Sequence, residues 1–303
     1  MSEFNIEVIE KKHFPQFVPV GYEEGEWISE DGRKARILED VVLGENLENN
    51  SWSQENEDMH EVPTKNGWID VYERERVLET TGIILGEARN TVVEFGASAG
   101  YMIEEMYRAF PENNYIATDL MVDGLRKSYL RNKNIMHIRC DFTDAPFVTK
   151  SVDFVYSLNV LEHIEDDMKT ISECYRILKP GGYCLFVVPR GAHLYDYFDE
   201  MLFHKRRYAK GELLSKCRET GFQVVHNFHF AWLCYPAFWM KKKWNKRVGK
   251  RISKEEKMEM VKKDIHNAMD SSIAIGLMHL ERKLSKLFSP EYGVREFILC
   301  RKM

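Results

Sequence analysis

Ten residues constrain this chain more than any others: Thr91-Val92-Val93-Glu94-Phe95-Gly96-Ala97-Ser98-Ala99-Gly100. A β-branched apolar run meets an acid, then a turn with two glycines. Helix-forming sequence comes at once, Tyr101-Met102-Ile103-Glu104-Glu105-Met106. The pattern predicts a strand, a tight turn and a helix N-terminus. Backbone N–H groups at such a terminus lack intrahelical partners, and glycine lets a ligand come close to the backbone. Two chemistries use this turn. One is nucleotide or nucleoside binding at the carboxyl end of a parallel sheet. The other is a hydrolase nucleophile elbow, because Gly96-Ala97-Ser98-Ala99-Gly100 also fits G-x-S-x-G with Ser98 as the nucleophile.

Beyond the turn, helix and strand alternate strictly. Helical spacing over 101–109 stops before Pro111. Strand-like Tyr115–Thr118 ends in Asp119, helix 123–132 comes next, and strand 135–139 ends near Asp141. Strand Val152–Leu158 ends at Asn159. Helix Glu165–Leu178 stops at Lys179-Pro180-Gly181-Gly182, a strong terminator. Strand Tyr183–Val188, helix 210–220 and strand Phe222–Phe230 complete the series. Residues 231–290 then interrupt it with a helical insertion, and Val294–Cys300 closes as a strand that can pair antiparallel with 222–230 at the sheet edge. Alternating β and α at this spacing predicts an α/β fold, Rossmann-like and doubly wound, with a mostly parallel seven-stranded sheet covered on both faces.

Upstream, helical spacing from Ile69 to about Gly86 predicts a helix leading into the first strand of that sheet. The domain is therefore read as 66–303, with 1–65 an N-terminal extension or arm. Within it Phe4–Ile9 alternates weakly as a short strand would, and Trp27–Ile37 looks like two short strands about Asp31-Gly32. The polar, acidic stretch 44–66 reads as a loop, with a substrate-covering lid as the sharper alternative.

Composition narrows the class. The chain of 303 residues is 44% hydrophobic and 30% charged, as a globular protein should be, and its net charge of −5 gives no reason to expect a nucleic-acid partner. None of the six cysteines forms a C-x-x-C pair, so no metal is expected, and their scatter reads as reduced thiols of a cytoplasmic protein. No signal peptide or membrane-spanning run is visible.

The hydrolase reading needs several strands upstream of the elbow, a His-Gly-Gly-type run, and a histidine in a loop after the last strand. The upstream strands here are weak, and the late histidines, His266 and His279, lie in helix-like sequence. The nucleoside reading needs an acid closing the second strand, where a carboxylate can accept both ribose hydroxyls. Asp119 lies 23 residues after Gly96, near the expected spacing of about 20. Asp141 and Asn159 end the next two strands on the same rim. Any one of these polar residues alone would pass for a solvated loop position.

Three segments together resemble class I S-adenosylmethionine-dependent methyltransferases, of the type 11 methyltransferase-like kind. Glu94–Gly100 resembles their E/D-x-G-x-G-x-G turn, with Ser98 at the middle glycine. Ser157-Leu158-Asn159-Val160-Leu161-Glu162-His163-Ile164 resembles their segment after the fourth strand. Arg176-Ile177-Leu178-Lys179-Pro180-Gly181-Gly182 matches their R-x-L-K-P-G-G turn. The resemblance covers about 70–230 and the final strand. It implies methyl transfer from S-adenosylmethionine, with S-adenosylhomocysteine as product. It implies that Glu94 orients the methionyl amine, and that Gly96, Ala97, Ser98 and Gly100 line the cofactor. Asp119 would bind ribose, Leu120 and Phe142 would pack on adenine, Asp141 would hold its edge, and Asn159 would lie beside the methionine portion.

The acceptor is less defined. A small-molecule or glycan-type acceptor methylated at oxygen is the first expectation. Nitrogen or carbon methylation of a lipid- or quinone-like precursor at a membrane surface, and a cofactor-binding module without turnover, are the alternatives. A hydroxyl nucleophile needs a base. His163 is the first candidate; a structural part of the turn is its other reading. His204-Lys205-Arg206-Arg207-Tyr208 is a second cluster, in which His204 and Arg206 are candidates, and Arg206 or Arg207 could clamp an anion or simply form a solvated basic loop. Finally, aromatic 232–240 runs into Lys241-Lys242-Lys243-Trp244-Asn245-Lys246-Arg247, which reads either as an active-site lid or as a contact with a membrane or lipid-linked substrate. Nothing in the sequence reports the oligomeric state.

Overall fold

The computed structural model describes residues 21–23, 26–28, 34–38, 41–44, 67–86, 89–269, 271–288 and 290–303; of the four N-terminal stretches and of 266–269 only the backbone is described. Phe4–Ile9, the 29–33 turn and nearly all of 44–66, with their predicted strand, turn and lid, lie outside these residues.

Among the described residues, eleven strands form one sheet in the order β1-β2-β3-β4-β7-β6-β5-β8-β9-β11-β10. Its centre is β5 (Thr91–Phe95), with β6 (Asn114–Asp119) and β7 (Met136–Arg139) on one side and β8 (Val152–Leu158) and β9 (Leu178–Pro189) on the other. All of these pair in parallel. The chain leaves β5 in one direction and returns on its opposite side at β8. That reversal opens a crevice at the carboxyl ends of β5 and β8, where open α/β sheets bind ligands.

Both faces of the sheet are covered, and the strands show why they read as continuous apolar runs. On β5, Val92 packs into one core and Val93 and Phe95 into the other; on β9, Leu185 and Val187 alternate with Cys184, Phe186 and Val188. This is the two-residue period of a strand buried on both sides. Helices α1 (Trp68–Leu85), α2 (Tyr101–Ala109) and α3 (Val122–Arg131) cover one face. Helices α4 (Asp167–Ile177) and α6 (Glu212–Thr220), one on either side of the short α5 (Tyr197–Met201), cover the other.

Three sequence expectations are refined. The closing strand β11 (Arg295–Lys302) does pair antiparallel with β10 (Phe222–Phe230), but it also pairs antiparallel with β9, so β10 is the edge. The Lys-Pro-Gly-Gly turn ends α4 and then itself begins β9, where Lys179 Nζ reaches both Asp153 carboxylate oxygens at 2.9 and 2.8 Å. Arg176 of the same motif binds the carbonyls of Ala145 and Phe147, so these motif residues brace the sheet rather than the crevice. At the other end, β2 (Glu26–Ile28) and β3 (Lys34–Leu38) pair antiparallel, and with β1 (Gly21–Glu23) and β4 (Val41–Gly44) they extend the sheet beyond β7, to which β4 is parallel.

The 231–290 insertion is three helices: α7 (Tyr235–Val248), α8 (Lys254–Met269) and α9 (Ser272–Leu284). Among the described residues no helix is long and apolar enough to cross a membrane.

Candidate active site

A cavity of about 1220 Å³ runs from the carboxyl end of β5 to the inner faces of α7 and α9. Its first wall is the 94–100 turn. The N–H groups of Gly96 and Ala97 both donate to the Thr118 carbonyl at 2.9 Å, and the Gly100 N–H donates to the Ala97 carbonyl. The Ser98 N–H donates to Asp119 Oδ2 at 2.8 Å, while the Met121 N–H donates to Asp119 Oδ1 at 2.9 Å. Most of the turn's donors are thus satisfied internally, and recognition at this end falls to carboxylates. Asp119 also acquires a task the sequence did not announce, holding the turn in shape.

The glycines answer to packing. A Cβ on Gly96 would lie 2.2 Å from Val160 Cγ2, and one on Gly100 would lie 2.0 Å from Ser128 Oγ. Ser98, at φ 46°, takes the left-handed backbone that explains why its motif position favours glycine.

Glu94 is buried and lines the cavity, and its Oε2 has no hydrogen-bond partner. Burial holds its carboxyl well above the usual range. Asp119, Leu120 and Asp141 line the same wall, with Asp141 Oδ1 accepting from the Thr143 N–H. Phe142 also lines the cavity. Its ring is buried and stacked on Phe95 at 3.7 Å between centroids, so that face belongs to the core. Asn159, at φ 55°, donates from Nδ2 to Glu73 Oε1.

Glu73 introduces a wall that sequence reasoning missed. Trp68, Asp70, Glu73 and Arg74 of α1 line the cavity, and Arg295 of β11 binds both Asp70 and Glu73. Burial pushes the Glu73 carboxyl up to about 7 even beside Arg295. The signal was present as Asp70, Glu73 and Arg74 at helical spacing on a partly apolar helix.

The far end gathers the acceptor-side candidates. Glu162 and His163 sit on the short helical turn after β8, and His204 comes after α5; all three line the cavity. The rings of His163 and His204 stand edge to face, 4.7 Å between centroids. His204 Nδ1 lies 3.3 Å from Asp199 Oδ1. Asp199 is also bound by Arg207 and by Lys242 of α7, and Lys242 reaches Asp196 as well. Burial works against the Asp199 charge, but the His204 hydrogen bond and the Arg207 and Lys242 charges outweigh it, so its carboxyl sits far below the usual range. Burial lowers the His204 value despite Asp199. Arg206 points elsewhere: it binds the Glu165 carbonyl and Asp167, and it does not line the cavity.

On α7, Ala237, Phe238, Lys241 and Asn245 line the cavity, and the basic run has specific partners. Lys241 binds Asp264, Lys246 binds the His193 carbonyl, and Lys243 lies over Trp239. Of the two late histidines that the hydrolase reading offered, the side chain of His266 lies outside the described residues. His279 is exposed on α9, in a shallow pocket with Arg282, Lys283 and Lys286 that is separate from the cavity holding Ser98.

Residues 93–186 match the methyltransferase domain family. The chain carries a class I S-adenosylmethionine-dependent methyltransferase domain. A Mycolicibacterium smegmatis protein described as a probable S-adenosylmethionine-dependent methyltransferase is 31% identical over 142 residues, 45% of this chain and 53% of that one. A Coxiella burnetii malonyl-[acyl-carrier protein] O-methyltransferase is 30% identical over 95 residues, 31% of this chain and 32% of that one. The matches therefore span about half or less of these relatives' lengths. In fold, the domain is similar to a Haemonchus contortus phosphoethanolamine N-methyltransferase in complex with S-adenosyl-L-methionine, with a TM-score of 0.54 and 17% identity over 84% of this chain and 59% of that one. S-adenosylmethionine is the cofactor of this methyltransferase family, and the cradle residues fit it. A buried, unpartnered Glu94 oxygen faces the cavity where a cationic amine would satisfy it.

Proposed function

We propose that the chain transfers a methyl group from S-adenosylmethionine to an oxygen of a small acceptor with an apolar body. One observation carries this reading: the acid-lined cradle and an apolar wall share a single cavity. Phe198, Leu202, Phe203, Phe238, Ile273 and Leu277 lie toward its far end. Apolar lining with a few polar groups suits an acceptor with a hydrophobic body better than a glycan. Residues 231–290 would act as the lid over it, and 1–65 would stand apart as an extension of the domain.

When bound, S-adenosylmethionine supplies an electrophilic sulfonium methyl and a neutral leaving group. The chain's part is to align the acceptor and receive its proton. Glu94 would hold the methionyl amine, Asp119 the ribose hydroxyls, and Asp141 with Leu120 the adenine. His204 and its neighbour His163 line the acceptor end of the same cavity, where an acceptor hydroxyl would lie. The O-methyltransferase name of the Coxiella relative supports oxygen as the methylated atom.

Calorimetry with S-adenosylhomocysteine tests the cofactor half: micromolar binding that weakens at least tenfold in Asp119→Asn is expected. Absence of binding would refute it. Radiolabelled methyl transfer to a panel of apolar alcohols, phenols, carboxylic acids and amines tests the rest, and label appearing on amines alone would overturn the assignment to oxygen.

A further inference from the structure

We infer that Glu162, His163 and His204 form a binding site for one divalent transition-metal ion at the acceptor end of the cavity. One ligand atom from each, a carboxylate oxygen and two imidazole nitrogens, can be chosen so that all three lie within 4.8 Å of one another. Ions of this class bond such donors at about 2.1 Å, which puts tetrahedral ligand atoms roughly 3.4 Å apart. Closing the set from 4.8 Å to that spacing requires torsional movement of the Glu162 and His163 side chains. Two imidazoles and one carboxylate are a donor set that suits zinc, iron(II), manganese(II) or cobalt(II), and it leaves coordination positions open.

Two independent features of the structure point to a cation there. Glu162 is 1% exposed, yet its Oε2 has no hydrogen-bond partner while the residue lines the cavity. A polar oxygen buried without a partner costs free energy that a ligand reaching it would recover. Second, Asp199 Oδ1 stands 3.3 Å from His204 Nδ1. A metal-binding histidine commonly has a carboxylate at its other nitrogen, fixing ring orientation and tautomer. With Nδ1 facing Asp199, Nε2 is the atom left to bind the ion. Asp199 is in turn held by Arg207 and Lys242, so the ring is anchored through two further elements.

No spacing in the sequence announces this set, because Glu162 and His163 are adjacent while His204 comes from beyond α5. The expectation of no metal rested on cysteine spacing, which is blind to such a site. On the methyl-transfer reading, on which this role rests, an acceptor hydroxyl would occupy an open position on the ion. Glu162, His163 and His204 would hold the ion, and the ion would supply Lewis-acid polarisation that makes that hydroxyl easier to deprotonate.

The test uses untagged full-length protein stripped with a chelator and titrated with Co2+, monitored by visible absorption, and with Zn2+ by calorimetry. One equivalent of Co2+ with d–d bands, displaced by Zn2+, is expected. His204→Ala and Glu162→Gln should each weaken binding at least tenfold, while His279→Ala, outside the cavity, leaves it unchanged. S-adenosylhomocysteine affinity, measured on the same samples, confirms that the variants are folded. Wild-type protein that shows no saturable one-equivalent binding overturns the site whatever the variants do. So do folded His204→Ala and Glu162→Gln proteins that bind Co2+ as tightly as wild type. S-adenosylhomocysteine binding without metal binding would sink this inference and leave methyl transfer standing; the reverse would keep the metal centre and sink methyl transfer.

Discussion

Gly100 and Gly211 offer a matched pair for separating backbone strain from steric collision. Each precedes a helix, α2 and α6, and their dihedrals nearly coincide, φ 76°, ψ 22° and φ 75°, ψ 1°. An alanine at either site must adopt the left-handed conformation, at a cost of about 1–2 kcal/mol. Around Gly211 nothing lies within 4 Å of the added Cβ, so Gly211→Ala should cost that alone. At Gly100 the Cβ would lie 2.0 Å from Ser128 Oγ and 2.6 Å from Ser128 Cβ, so α2 or α3 must move. Overpacking of this kind adds about 1–3 kcal/mol, giving a total of roughly 2–5 kcal/mol. Urea unfolding at constant m reads both values. Ser128→Gly removes both colliding atoms and should recover the steric part in the Gly100→Ala background, and a double-mutant cycle corrects for the lost Ser128–His137 contact of 3.0 Å. A Gly100→Ala cost within about 0.5 kcal/mol of Gly211→Ala, or no recovery by Ser128→Gly, would refute the claim that the turn is shaped by packing against α3.

Buried charge sets three further outcomes. Burial pushes His137 down to about 4, so the unfolded chain takes up its proton first. Stability should fall from pH 6.5 toward 4, by about 3 kcal/mol from this residue at roughly 1.4 kcal/mol per pH unit, and His137→Asn should flatten that part of a urea-midpoint profile. Lys242→Met leaves Asp196 and Asp199 buried without their lysine, and should lower unfolding stability by about 3–5 kcal/mol; a loss under about 1 kcal/mol would mean that α7 is not anchored through this network. Burial raises the Glu94 carboxyl well above the usual range, and a cationic amine meeting it would favour its charged form. S-adenosylhomocysteine binding should then be accompanied by proton release from Glu94, as calorimetry in buffers of different ionisation enthalpy can measure. Release that persists in Glu94→Gln would assign the proton to another group.

The cradle was legible because local sequence carries it. Strand, turn and helix are contiguous at 91–109, and Asp119, Asp141 and Asn159 sit at or just past strand ends that alternation locates. What local sequence did not convey was the use of each atom. The turn's N–H groups were expected to face a ligand, yet Thr118, Ala97 and Asp119 take most of them. Phe142 was expected on adenine; it lines the cavity, and Phe95 takes one face of its ring. Such choices depend on which neighbour arrives from another strand, and spacing along one segment does not record that.

The acceptor end shows the same limit more sharply. Lys242 sits within a run of lysines that reads as part of a lid or as a membrane contact, and it is 3% exposed. Its burial depends on Asp196 and Asp199, which lie more than forty residues earlier and flank the start of α5. A buried lysine is tolerated only when its charge is met, so the two aspartates and the lysine must be brought together for α7 to lie where it does. The same Asp199 faces His204 Nδ1, which ties the position of α7 to the orientation of a ring at the far end of the cavity. An acceptor that shifts α7 would therefore bear on His204 through Asp199. The position of α7 and the orientation of the His204 ring are coupled by one carboxylate.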